Sequence, residues 1–111
     1  MKWTMIMVPF LFVFIILVSG CVEKTGNPEF AQCLTDKGVK MYGTEWCQHC
    51  KNQKELFGDS FKFVDYVDCD GNKDECTAAG IRGYPTWIIN GEQYAGEQKL
   101  SKLAELSECE L

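Results

Sequence analysis

Trp46-Cys47-Gln48-His49-Cys50 sets two cysteines one helical turn apart, ahead of a run from Lys51 to Phe57 that ends at Gly58. Cysteines so spaced at a helix start can close a small disulfide with little backbone movement. The first sulfur then lies at the positive end of the helix, beside backbone N–H groups that have no helical partner. A thiolate is stabilised there, and the thiolate is the nucleophile of disulfide exchange. His49, the only histidine, adds a second push when protonated, and Lys51 adds a third from the same helical face as Cys47. Such settings lower a cysteine pKa from about 8.5 into the range ~3.5–7.5. Cys47 is therefore the expected attacking sulfur, exposed, and Cys50 the sheltered resolving sulfur. Trp46 reads either as core or as a flat ring shielding the reactive sulfur from water. Two other readings stay open. The pair could be half of a zinc site completed by Cys69, Cys76 or His49, although Cys69 and Cys76 do not form the second short knuckle of a zinc ribbon. It could also be a structural staple, although so short a loop constrains the unfolded chain little. The redox reading needs no metal and no cofactor beyond a Cys47–Cys50 disulfide.

Outward from the pair, helix and strand signals alternate. Asn27-Pro28 reads as a helix start, with Asn capping and Pro in the first turn. Phe30 and Leu34 share the face to be buried, and Gly38 closes the helix. Val39 to Tyr42 reads as a short strand, Gly43-Thr44-Glu45 as a turn, and a second helix runs from about Cys47 to Phe57. Phe61 to Asp68, rich in aromatic and β-branched residues, reads as a central strand. Residues 73 to 79 give a short helix closed by Gly80. Thr86 to Ile89, Asn90-Gly91, and Glu92 to Ala95 spell a hairpin with a tight turn. Leu100, Leu103 and Leu106 give a C-terminal amphipathic helix. The order α-β-α-β-α-β-β-α predicts an α/β fold, a mixed sheet packed between helices.

The 111 residues allow one domain. With 16 acidic against 11 basic side chains and a net charge of −5, the chain does not read as a nucleic-acid binder, which needs clustered Lys and Arg. From Trp3 to Val18 only Thr4 and Pro9 are not apolar. That run is marginal for a membrane span, which needs about 20 apolar residues, and suits the apolar stretch of an export signal. Val18-Ser19-Gly20-Cys21 resembles the lipobox of prokaryotic lipoproteins, which would make Cys21 a lipidation site. Residues 1–20 thus read as a signal peptide or an N-terminal membrane anchor, 21–27 as a tether and 28–111 as the domain. Either reading puts the domain outside the cytoplasm, attached to the outer face of the cytoplasmic membrane. Of the seven cysteines, six remain when Cys21 is set aside, an even number suited to an oxidising compartment.

Trp46-Cys47-x-x-Cys50 after a strand, followed by Tyr84-Pro85-Thr86 and a hairpin, resembles the thioredoxin fold, a central mixed four-stranded sheet flanked by helices. The resemblance implies that Pro85 is cis and faces the cysteine pair, and that Tyr84 pairs its backbone with a substrate chain beside Trp46. Read alone, Pro85 is an ordinary strand-start proline. A closer likeness is to the thioredoxin-like domain fused to bacterial and plant homologues of vitamin K epoxide reductase. It is carried by Phe30-Ala31-x-Cys33-Leu34, Met41-Tyr42-Gly43, Gln53-Lys54, Leu56-Phe57-Gly58, Tyr66-Val67-Asp68-Cys69, Tyr84-Pro85-Thr86-Trp87 and Leu103-Ala104-x-Leu106-Ser107-x-Cys109.

This likeness implies an oxidant of cysteines in exported proteins, monomeric, with Cys47, Cys50, His49 and Pro85 as its catalytic set. It also implies a membrane vitamin K epoxide reductase homologue as redox partner, and the pairings Cys69–Cys76 and Cys33–Cys109. Three departures stand beside it. These residues encode no four-helix quinone module, so the acceptor would be a separate protein. Gln48 stands where Pro is commoner. Met41 occupies the place of the buried acid of ordinary thioredoxins, which leaves the proton acceptor of Cys50 unassigned; Glu45 is near in sequence but reads as a solvated turn carboxylate. A thiol reductant of cytochrome maturation and a non-catalytic zinc-binding lipoprotein are the alternative functions.

Overall fold

The computed structural model describes residues 27–111. The expected signal or anchor of residues 1–20, Cys21, and the tether up to residue 26 lie outside the described residues. The first helix, α1, spans Pro28–Asp36, and Asn27 caps it by accepting the Phe30 N–H at 2.7 Å. Gly38, at φ +77°, reverses the chain, and the Val39 N–H donates to the Leu34 carbonyl. That bond closes the helix, so the first strand, β1, starts one residue later than the sequence suggests, at Lys40–Gly43. Helix α2 follows at Gln48–Phe57.

The stretch expected to form one central strand divides in two. Gly58–Phe63 is a 3₁₀ segment, and only Asp65–Asp68 is a strand, β2. Thr35 on α1 explains the break: its hydroxyl donates to the Phe63 carbonyl at 2.6 Å and accepts the Asp65 N–H at 3.0 Å. Backbone groups that a strand would pair are thus satisfied by a helix side chain. The aromatic rings that suggested a strand still reach the core from the 3₁₀ turn, Phe61 lying edge-on to Phe57 at 5.9 Å.

Helix α3 (Lys73–Ala78), strands β3 (Thr86–Ile89) and β4 (Glu92–Ala95), and helix α4 (Leu100–Ser107) complete the chain. The sheet order is β2-β1-β3-β4. β1 runs parallel to β2 and antiparallel to β3, and β3 pairs antiparallel with β4. The sheet is therefore mixed and flanked by helices, with β2 at an edge rather than in the centre. Asn90 and Gly91 both take positive φ, 52° and 78°, as a two-residue turn with the twist of its strands requires.

β1 is central, and three of its four residues are buried. Phe30, Leu34, Met41, Phe57, Trp87 and Leu103 form the heart of the core. Phe57 links two layers, stacking on Phe30 of α1 at 6.1 Å and lying 6.0 Å from Trp87 of β3. Helix α2 is thereby pinned against both α1 and the sheet, and its N-terminus is delivered to the end of β1.

Candidate active site

The turn after β1 places Cys47 at the N-cap of α2. Its Sγ accepts the N–H of Cys50 at 3.2 Å, and its thiol donates to the Tyr84 carbonyl at 3.7 Å. The Tyr84–Pro85 peptide bond is cis. Cys47 and Cys50 are free thiols. The contrast in their exposure is narrower than expected, for Cys47 is only 8% exposed and Cys50 is fully buried. The nucleophile thus sits in a shallow recess rather than on open surface.

Cys50 packs against the backbone of β1. A Cβ at Gly43 would stand 2.8 Å from its Sγ and 3.2 Å from the Tyr66 ring, so only glycine leaves room for both. Burial pushes the Cys50 thiol up from 9.0 to about 12, and the hydrogen bond and charge of Cys47 push the same way. The Thr44 backbone and the Lys54 ammonium pull against this rise. A raised thiol favours the folded dithiol form below pH 9, and that stability drains away as pH rises from 9 towards 12. We expect the urea midpoint of the dithiol form to fall relative to that of the disulfide form between about pH 8 and about pH 11. An unchanged gap across that window would contradict the assignment.

Trp46 is not core. It is 67% exposed, its Nε1 donates to Asp70 at 2.8 Å, and it meets Tyr84 edge-on at 6.0 Å. His49 is also exposed, and its Nδ1 lies 3.0 Å from Glu97. A carboxylate therefore stands beside the imidazole that the sequence set against Cys47. Lys51 is exposed on α2. The remaining described cysteines form disulfides, Cys33–Cys109 with S–S 2.08 Å and Cys69–Cys76 with S–S 2.10 Å. The zinc ligands drawn from Cys69 and Cys76 are thus bonded to each other. Among the described residues no group of three or more His, Cys, Asp or Glu is placed to hold a metal.

Several residues that shape the site escape sequence reasoning. Gln53 is fully buried; its carbonyl accepts from Trp87 Nε1 at 3.1 Å and from the Gln98 N–H at 2.6 Å, and its amide donates to the Gln98 carbonyl at 3.0 Å. It locks the loop bearing Glu97 onto α2. A buried-face glutamine three residues after Cys50 was the available signal. Lys54 reaches Glu45 at 3.3 Å and lies over the Tyr66 ring at 4.1 Å. Asp70 could have been found only by knowing that the Cys69–Cys76 loop folds back beside Trp46.

A helix-capping free thiol, a buried second thiol and, alongside, the Tyr84 carbonyl that precedes a cis proline define a dithiol protein of thioredoxin type. The sequence profile described as Thioredoxin matches residues 22–108, and the chain belongs to the thioredoxin family. It is 45% identical over 86 residues to "Thiol-disulfide oxidoreductase LTO1" of Arabidopsis thaliana, covering 69% of this chain and 23% of that protein. It is 36% identical over 109 residues to "Protein disulfide isomerase-like 2-2" of Oryza sativa subsp. japonica, covering 84% of this chain and 28% of that one. The chain thus spans about a quarter of the length of these relatives. Among solved structures, a mutant thioredoxin from Halobacterium salinarum NRC-1 superposes with TM-score 0.50 at 26% identity, covering 78% of this chain and 88% of that one.

Proposed function

We propose that this chain is a monomeric, membrane-tethered, extracytoplasmic oxidant of cysteines in exported proteins, reoxidised by a vitamin K epoxide reductase-type membrane partner. One observation carries the reading. Among the described residues only Cys47 and Cys50 are free thiols, and they sit where a helix start and the Tyr84 carbonyl meet. The other four described cysteines are held in disulfides, a habit of oxidising compartments. Residues 1–20 supply the export signal or anchor, and Cys21 the site for a lipid.

In the oxidising direction a substrate thiolate attacks Cys47 Sγ of the Cys47–Cys50 disulfide. The S–S bond breaks, Cys50 leaves with the electron pair, and it takes up a proton. A second substrate thiolate then attacks the substrate sulfur of the mixed disulfide and releases Cys47. The substrate gains a disulfide and the protein keeps two electrons for its membrane partner. Tyr84 offers its backbone to the substrate chain, with Trp46 and Pro85 as walls, and His49 balances charge at the mouth.

Potentials within this fold span roughly 150 mV, about 7 kcal/mol for two electrons, so the direction is a measurable quantity. Equilibration with glutathione decides it. A pair that stays mostly reduced at about −180 mV is an oxidant; one still mostly oxidised there is a reductant, and the proposed direction fails. A thiol count of the air-oxidised protein tests the chemistry separately: no free thiols among the six domain cysteines before gentle reduction, and two after it.

A further inference from the structure

Gln53 follows Cys50 by one turn on α2 and is fully buried, in a place where an apolar side chain would avoid the cost of burying an amide. That amide meets the backbone of one residue twice. Oε1 accepts the Gln98 N–H at 2.6 Å, and Nε2 donates to the Gln98 carbonyl at 3.0 Å. Oε1 also accepts from Trp87 Nε1 at 3.1 Å, on the strand that continues from Pro85. A helix side chain thus pairs with Gln98 as a neighbouring strand would.

From this pairing a short route leads to the reactive sulfur. Gln98 Nε2 donates to the carbonyls of Ala95 at 3.1 Å and Gly96 at 3.3 Å, which folds residues 95–98 into one clip. Gly96 turns at φ +87°, and its N–H donates to the Pro85 carbonyl at 2.7 Å. One residue back, the Tyr84 carbonyl accepts the Cys47 thiol at 3.7 Å. The route starts on α2 and returns to the N-cap of α2, so it closes a ring around the gap between Cys47 and the Tyr84–Pro85 segment. On the far side of that segment Arg82 and Gly83 are exposed, and the tie is local, Thr86 Oγ1 donating to the Gly83 carbonyl at 2.7 Å. The clip is what connects the segment to α2.

We infer that Gln53 is a positioning residue for substrate: through Gln98 and Gly96 it fixes how far the Tyr84–Pro85 backbone stands from Cys47. It thereby sets the width of a slot for extended peptide. The substrate class so favoured is a cysteine or disulfide carried on extended backbone, as against a small thiol compound with no backbone to lay along Tyr84. Gln53 touches neither sulfur nor substrate. Without it Cys47 keeps its place, because the Cys50 N–H that bonds its sulfur belongs to α2 itself. What is lost is the register of the facing backbone.

This inference rests on the proposed thiol–disulfide exchange, and one assay separates the two. The dithiol protein is mixed rapidly with an unstructured peptide whose central cysteine is disulfide-bonded to mercaptoethanol, and separately with bis(2-hydroxyethyl) disulfide. Both reactions end in the Cys47–Cys50 disulfide and two released thiols, and the ratio of their rates cancels the reactivity of Cys47 itself. Wild-type protein should favour the peptide. For Gln53→Leu the ratio should fall about ten-fold, the scale of one or two backbone hydrogen bonds, with the small-disulfide rate within about two-fold of wild type. Gln32→Leu, on the exposed face of α1, should leave the ratio unchanged. Gln53→Glu covers the case in which the leucine variant does not fold. Its buried carboxyl is neutral at about pH 5 and then offers an acceptor oxygen and an O–H donor, as the amide does, so the ratio should match wild type. Ionised at about pH 8, it no longer donates to the Gln98 carbonyl, and the ratio should drop. The titratable groups that position 53 neighbours along α2 and across the clip are Cys50, Lys54, Glu97 and Lys99, with His49 beside Glu97. All are common to both proteins, so the wild-type ratio over the same range is the reference. A folded Gln53→Leu, or Gln53→Glu at about pH 8, with the wild-type ratio overturns the clamp, as does a wild-type protein that reacts with both disulfides equally. A wild-type protein that reacts with neither defeats the proposed function instead.

Discussion

The Cys47→Ser protein should fold normally and lose disulfide exchange by about 10³-fold or more, the scale on which removing a covalent nucleophile acts. Folding is protected because position 47 is a helix N-cap, where the present sulfur accepts the Cys50 N–H. Serine is among the best residues for that position, and its oxygen takes over the same bond. The cap survives and only the nucleophile goes, so a lost rate cannot be blamed on a lost helix. Thermal unfolding measured beside the rate should show a midpoint within a few degrees of wild type. Cys50→Ala should behave differently: Cys47 still attacks, nothing resolves the adduct, and a mixed disulfide with the test peptide accumulates to near one per chain by mass spectrometry. Undiminished turnover by Cys47→Ser would sink the assignment of the site.

Both outcomes concern residues that the sequence made legible, and the reason is that their signals are local. A cysteine pair one turn apart at a helix start, an Asn-Pro cap, and an Asn-Gly turn each act within a few residues, through backbone geometry that the residue types dictate. Legibility fails where a distant partner decides. Phe61 and Phe63 read as strand residues because aromatic rings favour a half-buried pleat, but the Thr35 hydroxyl, 28 residues from Phe63 in sequence, takes the backbone carbonyl there. Gln53 looks like any polar helix residue until Trp87 and Gln98 arrive at its amide from 34 and 45 positions away. Glu45 was read as solvent-facing, which it is; its ion pair with Lys54 over Tyr66 depends on the turn and β2 meeting α2. The contact of His49 with Glu97 was hidden for the same reason, since it spans 48 positions.

The second large effect concerns stability. Removing Cys33–Cys109 as the double substitution Cys33→Ala, Cys109→Ala should lower stability by about 4 kcal/mol, close to the roughly 4.5 kcal/mol that chain entropy assigns to a loop of this length. A domain of this size holds about 4–13 kcal/mol in all, at roughly 0.05–0.15 kcal/mol per residue, so the loss is a large fraction. The midpoint should fall by roughly 15–30 °C. Alanine is the appropriate replacement because Cys109 is buried, and a serine hydroxyl there would add a desolvation cost of its own. The full entropic figure is not expected, because Lys37 Nζ also donates to the Ser107 carbonyl at 2.8 Å and still draws α1 towards the end of α4. The unfolding must be followed with Cys47–Cys50 held oxidised, so that the redox state of the pair does not enter the comparison. Exchange activity in the cold, well below the lowered midpoint, should persist, since the pair is positioned by β1, α2 and the cis-proline loop, none of which the bridge joins. The contrast with Cys69–Cys76 follows from loop length and place. That bridge closes about eight residues and contributes roughly 2.5 kcal/mol. Its loop, however, carries the Asp70 that holds Trp46, so cutting it should disturb substrate capture more than its modest stability would suggest. A Cys33→Ala, Cys109→Ala protein as stable as wild type would show that the ends of the domain are joined by packing alone.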